Sequence, residues 1–226
     1  MTEYIGELEL NKIYCMDALE LLKKIPDNSV DLVLIDPPYN LNKDFENDNL
    51  QEDDFISFLT PIFNELARVI KQRHSVIIFF DSGKKLPLFW KVLFNSNLKF
   101  QKGCNFYKPN DCSMPHNRIL RTSEVFYILS NTQELNHKGD KFIHDCLIGN
   151  HHKKEKWYHP TAKSKEVVMD IVLSSSIKND IVLDCFIGSG TTAVAAKQLG
   201  RKFIGCDISQ EYVNIANKRL SQEVLF

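Results

Sequence analysis

Apolar residues along this chain fall into two kinds of run that alternate almost from end to end. Short stretches such as Val30-Asp31-Leu32-Val33-Leu34-Ile35 and Ile181-Val182-Leu183 are nearly continuous and rich in β-branched residues, as in strands covered on both faces. Longer stretches repeat at helical spacing. Phe55, Phe58, Leu59, Ile62, Phe63, Leu66, Val69 and Ile70 make one such stripe, behind Asp53 and Asp54 as a cap. The pattern predicts strands at 13–16, 30–35, 75–80, 100–107, 124–129, 181–185 and 202–206. It predicts helices at 18–24, 55–71, 84–94, 165–177, 191–199 and 210–220. Alternation of this kind implies an α/β protein: a doubly wound, mostly parallel seven-stranded sheet with helices on both faces. Ligands of such sheets bind outside the carboxyl ends of the strands. Residues 40–54 and 131–158 show no clear period and read as long loops.

Composition adds bounds rather than direction. A chain of 226 residues, 43% hydrophobic and 25% charged, suits one domain over 1–226 and excludes disordered and fibrous classes. No apolar run approaches the ~18 residues of a membrane span. The acidic start, Met1-Thr2-Glu3-Tyr4-Ile5-Gly6-Glu7, lacks the features of a signal peptide. A cytoplasmic protein with six reduced cysteines is therefore expected. Cys104, Cys112, His116, His151 and His152 fit no usual zinc spacing, so no metal is expected. Net charge is −1, but twelve Lys/Arg stand against six Asp/Glu between Lys99 and Lys165. That stretch is a candidate phosphate-facing surface.

Two segments carry chemistry. In the first, the predicted strand at 181–185 runs into Phe186-Ile187-Gly188-Ser189-Gly190-Thr191-Thr192. Glycines let a ligand approach the backbone, and a helix start offers unpaired N–H groups. The next strand ends at Asp207, placed to accept the hydroxyls of a ribose. Taken alone, this segment also suits a nicotinamide-dependent enzyme, since Ala193 stands where a third glycine is sought and alanine is tolerated there. In the second, the strand 30–35 ends in Asp36-Pro37-Pro38-Tyr39. Two prolines force a rigid turn, and its cargo is a carboxylate and an aromatic that reads as exposed. Asp36 and the Pro37 carbonyl could accept both hydrogens of an exocyclic amine, freeing its lone pair for attack. Tyr39 could stack on a base extruded from a duplex.

Together these residues resemble the DNA amino-methyltransferases. The order, Asp-Pro-Pro-Tyr first and Phe-Ile-Gly-Ser-Gly last, is that of the circularly permuted subgroup called the beta class. The resemblance runs from about residue 13 to 220 and implies a Rossmann-like methyltransferase fold with S-adenosylmethionine as cofactor. It implies Asp36, Pro37, Pro38 and Tyr39 as the catalytic motif. Cofactor contacts are implied for Asp17, Ala18, Asp36, Asp184, Phe186, Gly188, Ser189, Gly190, Thr191 and Asp207. Tyr158-His159-Pro160-Thr161-Ala162-Lys163 resembles the segment that holds the methionine part, which adds His159, Thr161 and Lys163. The family usually has Gln at Ala162 and Pro at Ser164.

Tyr107-Lys108-Pro109-Asn110, with Pro115, Arg118 and Glu124, resembles the segment shaping the target-base side. Target recognition is implied between the Tyr107 region and His159, with a short insertion at about 131–158. Lys108, Asn110, Arg118, Arg121, Lys153 and Lys154 are the candidate DNA contacts. The acidic loop at 42–54 fits such a role poorly and reads as a lid. In this family an Asp-first motif mostly accompanies N6-adenine methylation, so adenine in duplex DNA is the expected target. N4-cytosine methylation, or service as a cofactor-binding subunit of a larger modification complex, stays open. The subgroup further implies a restriction-modification setting with a partner endonuclease, and its members often form homodimers.

Overall fold

The central strands of this protein are apolar on both faces, and both faces are covered. The computed structural model describes residues 2–41, 50–80, 83–108, 122–136, 138–149 and 163–222. A hairpin of β1 (Tyr4–Ile5) and β2 (Leu8–Glu9) comes first. It is followed by β3 (Lys12–Cys15), α1 (Ala18–Lys23), β4 (Val30–Ile35), α2 (Glu52–Val69), β5 (Ile70–Phe79), α3 (Leu86–Phe94), β6 (Lys99–Tyr107) and β7 (Ser123–Ser130). Then come β8 (Cys146–Ile148), α4 (Lys165–Ser175), β9 (Ile181–Asp184), α5 (Thr191–Gln198), β10 (Lys202–Asp207) and α6 (Gln210–Gln222). The main sheet has the order β3-β10-β9-β4-β5-β7-β6-β8. Its first five strands are parallel, β7 runs antiparallel to β5 and β6, and β8 lies parallel to β6.

Alternation along each strand divides the core in two. Val33 and Ile35 of β4, with Val76 and Ile78 of β5, pack under α1, α2 and α3 against Leu21, Phe55, Leu59, Phe63 and Phe89. Leu32 and Leu34, with Ile77 and Phe79, pack on the other side against Val168, Ile171, Ala193 and Ala216 of α4, α5 and α6. The seven expected strands and six expected helices are present, together with the unpredicted hairpin of β1 and β2 and three further differences. The sheet gains an eighth strand, β8, inside the segment expected to be irregular. Only Leu147 of its three residues is buried, while Ile148 is 70% exposed, so no apolar run marks it. Helix α2 ends at Val69 and β5 begins at once at Ile70, where the pattern extended the helix to 71 and delayed the strand to 75. Polar Lys71-Gln72-Arg73-His74 form an irregularity within β5, where the pairing slips from Val30↔Ile70 to Leu32↔Ser75 and Arg73 takes a φ of 66°. At the other end Gln51, rather than Asp53 or Asp54, is the N-cap. Glu52, Asp53 and Asp54 form the first turn, facing the positive end of the helix dipole. Part of the expected acidic loop is thus helix, and residues 42–49 lie outside the described residues.

Connections leave the sheet centre in opposite directions. From β4 the chain passes through α2 to β5 on one side; from β9 it passes through α5 to β10 on the other. Because β4 and β9 are paired neighbours (Leu32↔Val182, Val33↔Leu183), a crevice opens at their carboxyl ends. Asp36 follows the end of one strand, and Asp184 closes the other.

Candidate active site

At the β4 side, the prolines turn the chain and bring Tyr39 back over its own strand end. The Tyr39 hydroxyl donates to Asp36 Oδ1, and its ring packs on Phe80 with centroids 4.9 Å apart. Tyr39 is therefore half-buried, not the exposed aromatic the sequence suggested, because Phe80, just past the end of β5, packs against its ring. Asn40 closes the turn: its side chain bonds both the N–H and the carbonyl of Leu50 at 2.8 Å.

Lys163 enters this corner from the approach to α4. Its ammonium lies 2.9 Å from Asp36 Oδ2, 3.0 Å from Glu124 Oε2 and 3.3 Å from the Tyr39 oxygen. It also stands 5.1 Å from the centre of the Phe79 ring. The other oxygen of Glu124 takes Lys108 at 2.7 Å. Lys163 and Lys108 are each 13% exposed and Glu124 18%, so two carboxylates and two ammonium groups form one inward-facing cluster. Burial works to raise the Glu124 carboxyl, but Lys163 and Lys108 outweigh it and hold it at about 2. Burial likewise opposes the charge on Lys163, and Asp36, Tyr39 and Glu124 override it and raise its pKa well above the usual range. Burial, with Asp36 beside it, lifts the Tyr39 phenol well above 10, so it remains a donor.

At the β9 side the construction is backbone. Asp184 is fully buried, and burial pushes its carboxyl up to about 7 while the Phe186 N–H bonds Oδ1 at 3.0 Å. The Ile187 N–H reaches back to the Cys206 carbonyl of β10 at 3.0 Å. Gly188 and Gly190 adopt φ of 49° and 85°, the left-handed region. Gly190 is the N-cap of α5, and Ser189 and Thr191 beside it are buried. Asp207, at the end of β10, accepts the Gly188 N–H at 3.0 Å through Oδ2. Asp17 caps α1 by accepting the N–H groups of Leu19 and Glu20 at 2.8 and 3.2 Å, with Ala18 buried behind it. The Met16 N–H bonds the Asp207 carbonyl at 3.1 Å, which keeps the two acidic strand ends together. The carboxylates of Asp36 and Asp207 both act on Asp184, so the acidic ends of β4, β9 and β10 meet at one crevice.

The fold thus gathers Asp17, Ala18, Asp36, Pro37, Pro38, Tyr39, Lys163, Asp184, Phe186, Gly188, Ser189, Gly190, Thr191 and Asp207 at one end of the sheet. Two lysines are drawn into this corner: Lys163 meets Asp36, and Lys108 pairs with Glu124 and is 13% exposed. Asn110, Arg118, Arg121, Lys153, Lys154, His159 and Thr161 lie outside the described residues. So do Cys112, His116, His151 and His152. Among the described residues no group of three His, Cys, Asp or Glu could hold a metal ion, and no helix is long and apolar enough to cross a membrane. Sequence reasoning missed Phe80 against Tyr39 and Phe79 beside Lys163, the pairing of Glu124 with both lysines, and Arg219 of α6, which bonds Ser189 and Thr191. Arg219 did leave a signal, as a charged residue inside an apolar helical stripe.

Known proteins resemble this chain over most of its length. The family profile described as DNA methylase (N6_N4_Mtase) matches residues 30–218. Over 95% of the chain and 70% of the relative's length, the sequence is 35% identical to the Type II methyltransferase M.BglII of Bacillus subtilis. Among solved structures, M1.HpyAVI in complex with SAM superposes with a TM-score of 0.71 at 27% identity, covering 92% of this chain and 98% of that one. The PvuII DNA methyltransferase, described as cytosine-N4-specific, has the same fold, with a TM-score of 0.79 at 18% identity over 95% of this chain and 87% of that one.

Proposed function

The chain belongs to the DNA methylase family of N6-adenine and N4-cytosine methyltransferases, and from that membership we propose that it methylates the N6 amino group of adenine in duplex DNA. S-adenosylmethionine is the cofactor, and it supplies a methyl group made electrophilic by a positively charged sulfonium. The residues present fit such a group. Asp184, its carboxyl raised to about 7 by burial, and Asp207 lie at the ends of neighbouring strands, and a cationic ligand favours their ionised forms. The glycine turn and Asp207 offer backbone and hydroxyl-accepting groups beside them.

The observation that carries the reading is the position of Asp36, at a rigid strand end across from the glycine turn. An exocyclic amine is a poor nucleophile because its lone pair is shared with the ring. Asp36 and the Pro37 carbonyl accept its hydrogens and draw the nitrogen toward tetrahedral geometry. Both oxygens of Asp36 already have donors, Tyr39 and Lys163, so the arriving amine takes the place of the Tyr39 hydroxyl. The released ring is then available to stack on the extruded base. Lys163 stays protonated and balances Asp36 and Glu124 while this exchange takes place.

Adenine is favoured over cytosine by the aspartate that opens the motif. Residues 1–226 act as one catalytic domain, with 131–158 as a short recognition insertion. That insertion is tied to the body of the protein where Asp140 bonds Arg201 and Lys141 pairs with Asp170 at 2.5 Å. Arg118, Arg121, Lys153 and Lys154 are the proposed DNA contacts, and a restriction endonuclease with the same site is the proposed companion, as suits the Type II relative. The test is transfer of labelled methyl from S-adenosylmethionine to unmethylated duplex DNA, followed by mass analysis of the nucleosides. Labelled N6-methyladenine supports the proposal, N4-methylcytosine replaces the base, and unlabelled DNA from a cofactor-binding protein overturns the acceptor.

A further inference from the structure

Helix α6 lies beneath the glycine turn and meets it at two points one helical turn apart. Ala216 backs Gly190 so closely that a Cβ built on the glycine would stand 2.8 Å from the Ala216 Cβ. Three residues on, Arg219 occupies the same buried face as Val213, Ala216 and Leu220. Arg219 is only 5% exposed. Its Nη1 lies 2.7 Å from the Ser189 carbonyl, 3.0 Å from Ser189 Oγ and 3.1 Å from Thr191 Oγ1. Burying a guanidinium is costly, and an aliphatic residue would fill this stripe without that cost. The Ser189–Gly190 peptide is held from both ends, its carbonyl by Arg219 and its N–H by the Ile187 carbonyl at 2.9 Å.

We propose that Arg219 is a positioning residue for cofactor binding, acting through Ser189 and Thr191 to freeze the turn in its ligand-accepting shape. This rests on the reading of residues 184–191 as the S-adenosylmethionine site. Preorganisation of a binding loop raises affinity by removing the ordering cost at the moment of binding, so the effect falls on cofactor affinity rather than turnover.

The experiment measures S-adenosylmethionine Kd by calorimetry, together with KM, kcat and Tm, on the full chain. Arg219→Met should raise Kd and KM about tenfold or more, the loss expected for a charged hydrogen bond, with kcat at saturating cofactor within about twofold. Arg219→Lys, which keeps the charge but not the fork, should fall between. Arg201 is also 5% exposed and serves Ser176, Leu199 and Asp140 instead. Arg201→Met should lower Tm while leaving cofactor Kd unchanged. A wild-type Kd in Arg219→Met overturns the proposal, as does an equal loss of affinity in Arg201→Met. If Arg219→Met does not fold, Ser189→Ala withdraws one acceptor from the loop side, and an unchanged Kd there overturns it too. Asp207→Ala separates the two levels. Wild-type cofactor binding in that variant sinks the site itself, whereas lost binding there with retained binding in Arg219→Met sinks only the role of Arg219.

Discussion

At the end of β4 the site is assembled from charged side chains that arrive from β4, β6, β7 and the approach to α4. At the end of β9, a few ångströms along the same crevice, it is assembled from eight consecutive residues, 184–191, whose own backbone makes the shape. The first corner is held by ion pairs among Asp36, Lys163, Glu124 and Lys108; the second is held by left-handed glycines and one buried arginine beneath them. The difference matches the two tasks proposed for them. An electrostatic site must set charge at one atom, and charge is best fixed by countercharge. A binding turn must present backbone groups at a fixed spacing, and that is a matter of local conformation.

If the two corners are separable, their variants should fail in different measurements. The largest effect belongs to Asp36→Ala, which should lower kcat at least about a hundredfold, as loss of a preorganised electrostatic group does, with cofactor Kd nearly unchanged. A matching loss of cofactor affinity would merge the corners into one unit. Next is Lys163→Met, which leaves Asp36 without its cation and Glu124 with Lys108 alone, and should destabilise the fold by about 3–5 kcal/mol in urea unfolding. Adding Glu124→Gln should recover part of that loss, and strictly additive losses would show that the two do not share a pair. Gly190→Ala comes third. Its methyl meets Ala216 and its φ is 85°, so about 1–3 kcal/mol of strain should appear as weaker cofactor binding, while kcat at saturation stays within severalfold.

The smallest and sharpest comparison is in pH. Glu124 is depressed from 4.5 to about 2, so its stabilisation is present above pH 4.5 and is lost as pH falls toward 2. Asp184 is raised from 3.8 to about 7, so its contribution is full below 3.8 and is lost as pH rises through 7. Glu124→Gln should flatten the acid side of a plot of Tm against pH, and Asp184→Asn the neutral side. Variants that flatten the same side would contradict the opposed settings of the two corners.

These contrasts also decide what could be read in advance. By itself the sequence determined the strand and helix order, the parallel sheet, the glycine turn and the Asp-Pro-Pro-Tyr corner, because each depends on residues close together in the chain. Period, turn chemistry and strand ends are local properties and survive in a linear pattern. Tertiary structure alone decided that Lys163 would meet Asp36, that Lys108 would face inward, that Phe80 would half-bury Tyr39, and that Arg219 would support Ser189. It also decided that the polar residues 71–74 would interrupt a strand and that Cys146–Ile148 would extend the sheet edge. A lysine has the same charge whether it meets water or a buried carboxylate. Which partner it finds depends on strand order and register, which bring together residues far apart in the chain.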